Sequence, residues 1–229
     1  MKKPRIENQI LSINKVHFPV TSLGFGRRVG IWTQGCSIHC AGCVNQDTWE
    51  PRPDCHIDIT TLLKGIRPWL RQADGVTISG GEPFDQPEGL LSLVCTIRAG
   101  FAGDILVYSG FSLPSLVTKF PKIIQAIDVL ISEPYDVKRP QTLTLRGSDN
   151  QIITLLSPLA RERYPRNINE MKWTSPRGFD VMSSDKAVWL VGIPKQKTLA
   201  QLQGHLKLRG FTSKSSQQAS GQPPMRVIS

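Results

Sequence analysis

Three cysteines within eight residues constrain this chain more than any other feature: Cys36, Cys40 and Cys43, inside the stretch that runs from Gly35 to Trp49. Spaced C-x3-C-x2-C, they let a loop that curls on itself aim three sulfurs at one point. Gly35 and Gly42 relieve the backbone crowding of such a curl. That geometry suits a metal. A thiolate trio can hold tetrahedral zinc with a fourth ligand from elsewhere, or three irons of a 4Fe-4S cluster with the fourth iron left without a protein ligand. Spacing alone leaves both open. His39 inside the loop, and Cys55 and His56 beyond it, are the candidate fourth zinc ligands. Cys95 falls in the apolar register of an expected helix and reads as a small core residue.

With 229 residues and 39% hydrophobic content, the chain can bury a full core in one domain plus an extension. It contains no apolar run of about 18 residues, and no signal-type segment follows Met1-Lys2-Lys3-Pro4-Arg5. A cytoplasmic protein with no membrane partner is therefore expected. Five cysteines, three of them too crowded to pair with one another, fit a reducing compartment better than a secreted disulfide framework.

The net charge of +10 is uneven: residues 1–150 carry 16 Lys/Arg against 14 Asp/Glu, and residues 151–229 carry 12 against 4. Basic character thus belongs to the C-terminal third, where it can be a solvated face or meet an acidic protein surface. No helix-turn-helix, ribonucleoprotein or zinc-finger pattern accompanies it, so a nucleic-acid partner is not expected.

Periodicity organises the first two thirds. Gln9 to Val16 alternates like a half-buried strand, with Arg28 to Thr33 as its candidate partner and a loop from Pro19 to Gly26 between them. The second of these strands runs straight into the cysteine loop, which puts the metal site at the C-terminal end of a strand, where parallel α/β folds build active sites. Asp58 to Leu70 reads as a helix with Asp58 or Thr60 as its cap and an apolar stripe of Ile59, Leu62, Leu63, Ile66 and Leu70. Asp74–Ser79, Ile105–Tyr108 and Val129–Ile131 read as buried strands, with helices at Pro87–Ala99, Leu113–Lys119 and Lys122–Ala126. Strand and helix alternate, so a mainly parallel sheet is expected. From Leu159 the chain is polar and broken by proline. Ala187–Ile193 then reads as a strand, Thr198–Leu208 as a helix ended at Gly210, and Ser213 onward as a disordered tail.

Polar motifs sit at the expected strand ends. Gly80-Gly81 lets backbone approach a ligand closely, and the Glu82 carboxylate adds an acceptor suited to a cationic amine, although Gly-Gly-Glu-Pro alone is commonly just a tight turn. Ser109, in Tyr108-Ser109-Gly110, faces the same mouth. Arg146-Gly147-Ser148-Asp149-Asn150-Gln151 offers a guanidinium for a carboxylate and four further polar side chains, or is simply a polar turn before the apolar run Ile152–Leu156.

Taken together, Cys36, Cys40 and Cys43 followed by Ser79-Gly80-Gly81-Glu82-Pro83 resemble the radical S-adenosylmethionine (SAM) superfamily. Gly24-Phe25-Gly26-Arg27-Arg28, Cys43-Val44-Asn45, Thr48-Trp49 and Arg146 to Gln151 bring the chain nearer to the activating enzymes of anaerobic ribonucleotide reductase. The resemblance covers about the first two thirds of the chain. It implies an α/β fold of the partial (β/α)6, TIM-like barrel kind with a C-terminal extension: a core at 1–158, an elaboration at 159–212 and the tail at 213–229. It further implies a 4Fe-4S cluster on Cys36, Cys40 and Cys43, and SAM held by Asn45, Gly80, Gly81, Glu82, Ser109, Arg146, Ser148 and Asn150. The implied reaction is reductive cleavage of SAM to a 5′-deoxyadenosyl radical that takes hydrogen from a glycine of a glycyl-radical enzyme. An electron donor such as flavodoxin or ferredoxin would supply the reduction. Ile131-Ser132-Glu133-Pro134-Tyr135-Asp136 departs from the family's Asp-Gly-Pro-Tyr type of run, which keeps open a radical SAM enzyme acting on a small molecule or peptide. A non-catalytic zinc-binding interaction module is the alternative from another class.

Overall fold

The computed structural model describes residues 9–173, 179–183, 188–194 and 198–212. The expected tail at 213–229 lies outside them. In chain order the elements are β1 (Ile10–Val20), β2 (Arg28–Thr33), β3 (His56–Asp58), α1 (Ile59–Leu70), β4 (Gly75–Gly80), α2 (Pro87–Arg98), β5 (Asp104–Tyr108), α3 (Leu113–Lys119), α4 (Pro121–Ala126), β6 (Val129–Ser132), β7 (Ile152–Leu155), α5 (Pro158–Arg163), β8 (Asp180–Ser183), β9 (Val188–Val191) and α6 (Thr198–Leu208). Seven strands form one sheet in the order β3-β1-β2-β4-β5-β6-β7, and β8 and β9 form a separate hairpin. The fold is mixed α/β.

Strands β2, β4, β5 and β6 are parallel neighbours, joined in register from Arg28 against Gly75 to Tyr108 against Ile131. Of the six parallel strands a (β/α)6 expectation carries, these four are present among the described residues. The others correct the expected parallel order: β1 runs antiparallel to β2, β3 antiparallel to β1, and β7 antiparallel to β6. Residues 133–151 contain no helix, so the chain comes back beside β6 in the opposite direction instead of crossing over. β1 also runs on through Pro19 to Val20, past the expected loop start, because a register shift between His17 and Val20 accommodates the proline.

Alternation along the parallel strands gives the sheet two buried faces. Val29, Ile31, Val76, Ile78, Ile105 and Val107 pack against Ile59, Leu62 and Ile66 of α1 and Leu90, Leu93, Val94 and Ile97 of α2. Asp58 caps α1 as expected, its carboxylate accepting from the Thr61 N–H at 3.0 Å. Cys95 is not a core residue. It is exposed, because the buried stripe of α2 runs through Leu93, Val94 and Ile97 and leaves the next position facing solvent.

The opposite face is covered by chain that follows β7. Leu106, Val129 and Ile131 pack against Ala160 of α5, Tyr164 and Ile168, all in a stretch whose sequence reads only as polar and broken. At the N-terminal end of the parallel strands, the fully buried Arg28 donates to Asp104 Oδ2 at 2.7 Å and Oδ1 at 3.1 Å, and to Thr77 Oγ1 at 2.6 Å. Tyr164 donates its hydroxyl to the same Asp104 at 3.0 Å. Arg28→Met should therefore cost about 3–5 kcal/mol in denaturant unfolding, since it leaves a buried carboxylate short of its main cation. Arg163→Met, which removes a 3.3 Å contact to Asp104 from a partly exposed side chain, should cost about 1 kcal/mol or less. Equal losses would mean that the buried pair is not what holds this end together.

The β8–β9 hairpin docks Val191 on Val20, Leu23 and Trp32, with Trp189 and Ile193 beside it. Asp180 fastens it. Its carboxylate accepts from the Thr21 N–H and hydroxyl at 2.8 and 2.6 Å and from the Ser22 N–H and hydroxyl at 3.0 and 2.7 Å. Burial by itself pushes this carboxyl up, and the four hydrogen bonds outweigh it and hold it below the ordinary aspartate range. A carboxyl depressed in this way contributes stability above its unfolded pKa, and that contribution disappears as pH falls through the folded value. The hairpin should thus stay docked at neutral pH and loosen only on acidification below the ordinary aspartate range. Asp180→Ala should loosen it at neutral pH by about 1–2 kcal/mol, allowing for partial exposure. Amide hydrogen exchange in β8 and β9 reads this directly, and equal protection in Asp180→Ala would leave the apolar contacts as the fastening.

Candidate metal centre

Because β2, β4, β5 and β6 are parallel, the segments that follow Thr33, Gly80, Tyr108 and Ser132 all emerge at one edge of the sheet. The run Arg146 to Gln151 joins them there, since it precedes the antiparallel β7. These are the segments that carry the sequence-derived site residues.

The cysteine loop leaves β2 and is stitched back to itself at its far end. Gly35 N–H donates to Thr48 O at 2.7 Å, Cys36 N–H to Trp49 O at 2.9 Å, and Thr48 hydroxyl to Asn45 O at 2.6 Å. Gln34, 1% exposed, ties both ends together: its amide nitrogen donates to Asp47 O at 3.1 Å and Glu50 O at 2.7 Å, and its amide oxygen accepts from Asn14. Asp85 holds the loop from β4's side, accepting from the Ser37 N–H and hydroxyl at 2.7 and 2.8 Å. Tyr135 borders it from β6's side, close to Gly42, with a backbone N–H that favours the Cys40 thiolate.

All three cysteines are half-buried in this loop. Burial pushes each thiol up, and repulsion from neighbouring thiols adds to this at Cys36 and Cys40. Among the described residues no three His, Cys, Asp or Glu side chains stand in metal-holding geometry. The donor set fits a cluster held at three corners. Cys55 lies buried away from the trio with its sulfur 3.9 Å from Gln34 Oε1, His56 is exposed on the edge strand β3, and His39 is exposed and stacked on Trp49. The structure brings none of the three candidate zinc ligands to the thiols.

Gly80 meets the end of β2, and Gly81 meets the cysteine loop itself. Gly80 has a φ of +112°, and a Cβ there would fall 2.3 Å from Thr33 N. A Cβ at Gly81 would fall 2.0 Å from Gly35 O and 3.0 Å from Thr48 O. Close backbone approach is needed here, but to the chain's own loop. Glu82, 2% exposed, accepts from Phe84 N–H at 3.0 Å, Ser109 hydroxyl at 2.9 Å and Gly110 N–H at 2.7 Å. Its carboxyl is pushed up to about 7 because burial outweighs these donors. Ser109, 4% exposed, is the other half of that junction between the ends of β4 and β5.

The Arg146 run is also largely occupied by its own neighbours. Arg146, 3% exposed, donates to Asn169 Oδ1 at 2.8 Å and Ile168 O at 3.3 Å, with its buried Nε unpartnered. Ser148 Oγ accepts from Asp136 N–H at 3.0 Å. Asn150 donates to Pro134 O at 2.8 Å, and its buried Oδ1 has no partner. Asn45 places its backbone N–H 3.4 Å from Cys43 Sγ. Gln34, Asp85 and Tyr135 are site-building residues that the sequence reading missed. Asp85, two residues past Pro83 and at the foot of an expected helix, had a readable signal; the other two are polar or aromatic residues among many.

A model of the family described as "4Fe-4S single cluster domain" matches residues 22–154. The anaerobic ribonucleoside-triphosphate reductase-activating protein of Enterobacteria phage T4 is 31% identical over 133 residues, which cover 56% of this chain and 83% of that one. The protein of the same name from Haemophilus influenzae is 30% identical over 137 residues, covering 57% and 88%. The pyruvate formate-lyase-activating enzyme of Staphylococcus aureus is 35% identical over 165 residues, covering 65% and 59%. The match at residues 22–154 spans more than half of the chain and contains the cysteine loop, the β4 glycines and the Ser109 turn, and on this basis the chain belongs to the 4Fe-4S single cluster domain family and is a radical SAM superfamily enzyme related to these activating proteins.

Proposed function

We propose that the chain is an activating enzyme that installs a glycyl radical on a partner protein. The observation that carries this reading is the packing of Gly81 against Gly35: it joins the three-cysteine loop to the end of β4 as one unit, in a chain whose relatives are named as activators. Cys36, Cys40 and Cys43 would hold three irons of a 4Fe-4S cluster, and the open fourth iron would be the place for SAM. Bound together, cluster and SAM supply a one-electron reductive cleavage whose product abstracts hydrogen. An external low-potential donor, such as a flavodoxin or ferredoxin, would supply the electron.

The protein's part is to bind and orient. Gly80 and Gly81 keep the backbone beside the cysteine loop free of side chains. Glu82 acts through its neighbours: by holding Ser109 and Gly110 it fixes the end of β5 against the end of β4. Asn150 Oδ1 is a buried acceptor that fits a ligand N–H or O–H, and Arg146 Nε is a buried donor in the same run. Asn45 and Ser148 would order the loops around the ligand. Helix α6 has His205 and Lys207 and no Asp or Glu, and Arg209 follows it, so the C-terminal third offers a basic docking face for an acidic surface around the acceptor glycine.

The deciding experiment mixes reduced enzyme, SAM and a candidate glycyl-radical partner without oxygen and looks for a glycyl-radical signal by electron paramagnetic resonance. The signal is expected, and it should weaken as salt screens docking charges more than about 8 Å apart. If 5′-deoxyadenosine accumulates, no partner gains a radical and a small molecule or peptide is turned over instead, the activase reading is wrong.

A further inference from the structure

Two stretches of chain that meet at the open edge of the sheet are both entered through a left-handed residue other than glycine. The segment after β6 starts at Glu133, with a φ of +83°, and the Arg146–Gln151 run is preceded by Leu145, with a φ of +59°. An L side chain holds such a conformation only where its surroundings fix it, and strain of this kind collects at working sites. Here each stretch fixes the other. Gln151 Nε2 donates to Glu133 O at 3.1 Å, Asn150 Nδ2 to Pro134 O at 2.8 Å, and Asp136 N–H to Ser148 Oγ at 3.0 Å. Gln151 Oε1 accepts in turn from Gly147 N–H at 2.8 Å. Residues 133–136 and 147–151 are thereby tied into one unit, and that unit carries the unpartnered Asn150 Oδ1.

Tyr135 stands between this unit and the cysteine loop. One edge of its half-buried ring lies on Gly147, where an added Cβ would fall 3.1 Å from Cδ2 and 3.6 Å from Cε2. The other edge reaches Gly42, between Cys40 and Cys43, where an added Cβ would fall 3.7 Å from Cε1. Val137 covers Gly42 beside it, its Cγ2 3.0 Å from the same Cβ position. A glycine on each side lets a single ring lie along two backbones. The ring is rigid, so it passes a displacement on instead of absorbing it.

We propose that Tyr135 is a positioning residue: its ring fixes the spacing between the cysteine loop and the Arg146–Gln151 run, and so sets where SAM held by that run lies relative to the cluster. This rests on the cluster and SAM reading given above. Tyr135 acts through Gly42 and Gly147, and its contacts are made by the ring edges, so a phenylalanine serves in its place. The effect is large for a small movement, since a misplacement of about 1 Å can cost roughly 100-fold in rate.

The test compares Tyr135→Ala with Tyr135→Phe after reconstitution without oxygen. Tyr135→Ala should match the wild-type protein in iron and acid-labile sulfide, because Gln34 and Asp85 still stitch the cysteine loop. Its SAM affinity should fall about tenfold, and the change that SAM makes in the electron paramagnetic resonance spectrum of the reduced cluster should shrink. Tyr135→Phe should restore both. Loss of SAM affinity with iron retained separates positioning from scaffolding, which would take iron away as well. An iron-replete Tyr135→Ala protein with wild-type SAM affinity and the wild-type spectral change overturns the inference.

Should Tyr135→Ala fail to keep iron, Gly147→Ala decides instead. Its new Cβ presses the ring from the side away from the cysteines, so the reduced cluster's spectrum should shift even with no SAM present, where a direct role of Gly147 in ligand binding has no effect. An unshifted spectrum overturns the inference. Wild-type protein that takes up no iron, or takes up iron and binds no SAM, would sink the cluster or the SAM reading and the inference with it, and is told apart because it needs no variant.

Discussion

Replacing any one of Cys36, Cys40 or Cys43 by Ala should abolish SAM cleavage and strip the reconstituted protein of most of its iron and sulfide. Each cysteine has one sulfur in a loop with no substitute nearby: Cys55 is buried against Gln34, His56 is exposed on β3, and no His, Asp or Glu joins the trio among the described residues. A cluster short of one protein thiolate has two open irons and is readily lost. Cys95→Ala is the control. That side chain is exposed on α2, so iron, sulfide and activity should be unchanged. Iron and labile-sulfide assays, with visible absorbance after anaerobic reconstitution, are the measurement. Stoichiometric zinc without sulfide in the wild-type protein would instead favour the zinc-module alternative.

Gly81→Val should have nearly as large an effect, by a route that only the structure discloses. The strand-end glycines read in the sequence as a place for backbone to approach a ligand, which leads one to expect weakened SAM binding with iron retained. The first carbon of any side chain at Gly81 would fall 2.0 Å from Gly35 O, so the backbone beside Cys36 must move before a ligand is met at all. Crowding of this kind costs roughly 1–3 kcal/mol, and here the displaced segment is the cysteine loop itself. Iron content and SAM affinity should therefore fall together. Gly100→Val adds the same side chain where nothing lies within 4 Å and should retain both. An iron-replete Gly81→Val protein that has lost only SAM affinity would mean that the loop yields easily and that the ligand, not Gly35, is the closer neighbour.

The first experiment turns on cysteines that are close in sequence and the second on a contact between Gly81 and Gly35 that is distant, and that difference separates what was readable from what was not. The apolar alternation of β1, the stripe and Asp58 cap of α1, the glycine stop at Gly210 after α6 and the spacing of Cys36, Cys40 and Cys43 are properties of short windows. Hydrophobic period, capping and turn chemistry are local, so the sequence alone determined them, along with the position of the cysteine loop at a strand end. It could not determine that β7 returns antiparallel, because direction depends on what the 133–151 connection does in space. Nor could it place Cys95 outside and Cys55 inside, since Cys95 lies among apolar neighbours and Cys55 between Asp54 and His56, and only packing selects the face that is covered.

The carboxylates make the same division sharper. Glu82 reads as an acceptor for a ligand and accepts in the structure from Ser109 and Gly110, whereas Asp104 carries no motif and proves to be the buried partner of Arg28 and Tyr164. A buried charge is tolerated only where donors converge on it, and these donors come from segments tens of residues away. Sequence determined which residues could carry charge, sulfur or backbone freedom; tertiary structure decided which of them face each other, because desolvation is settled only when strands and loops have closed around a group.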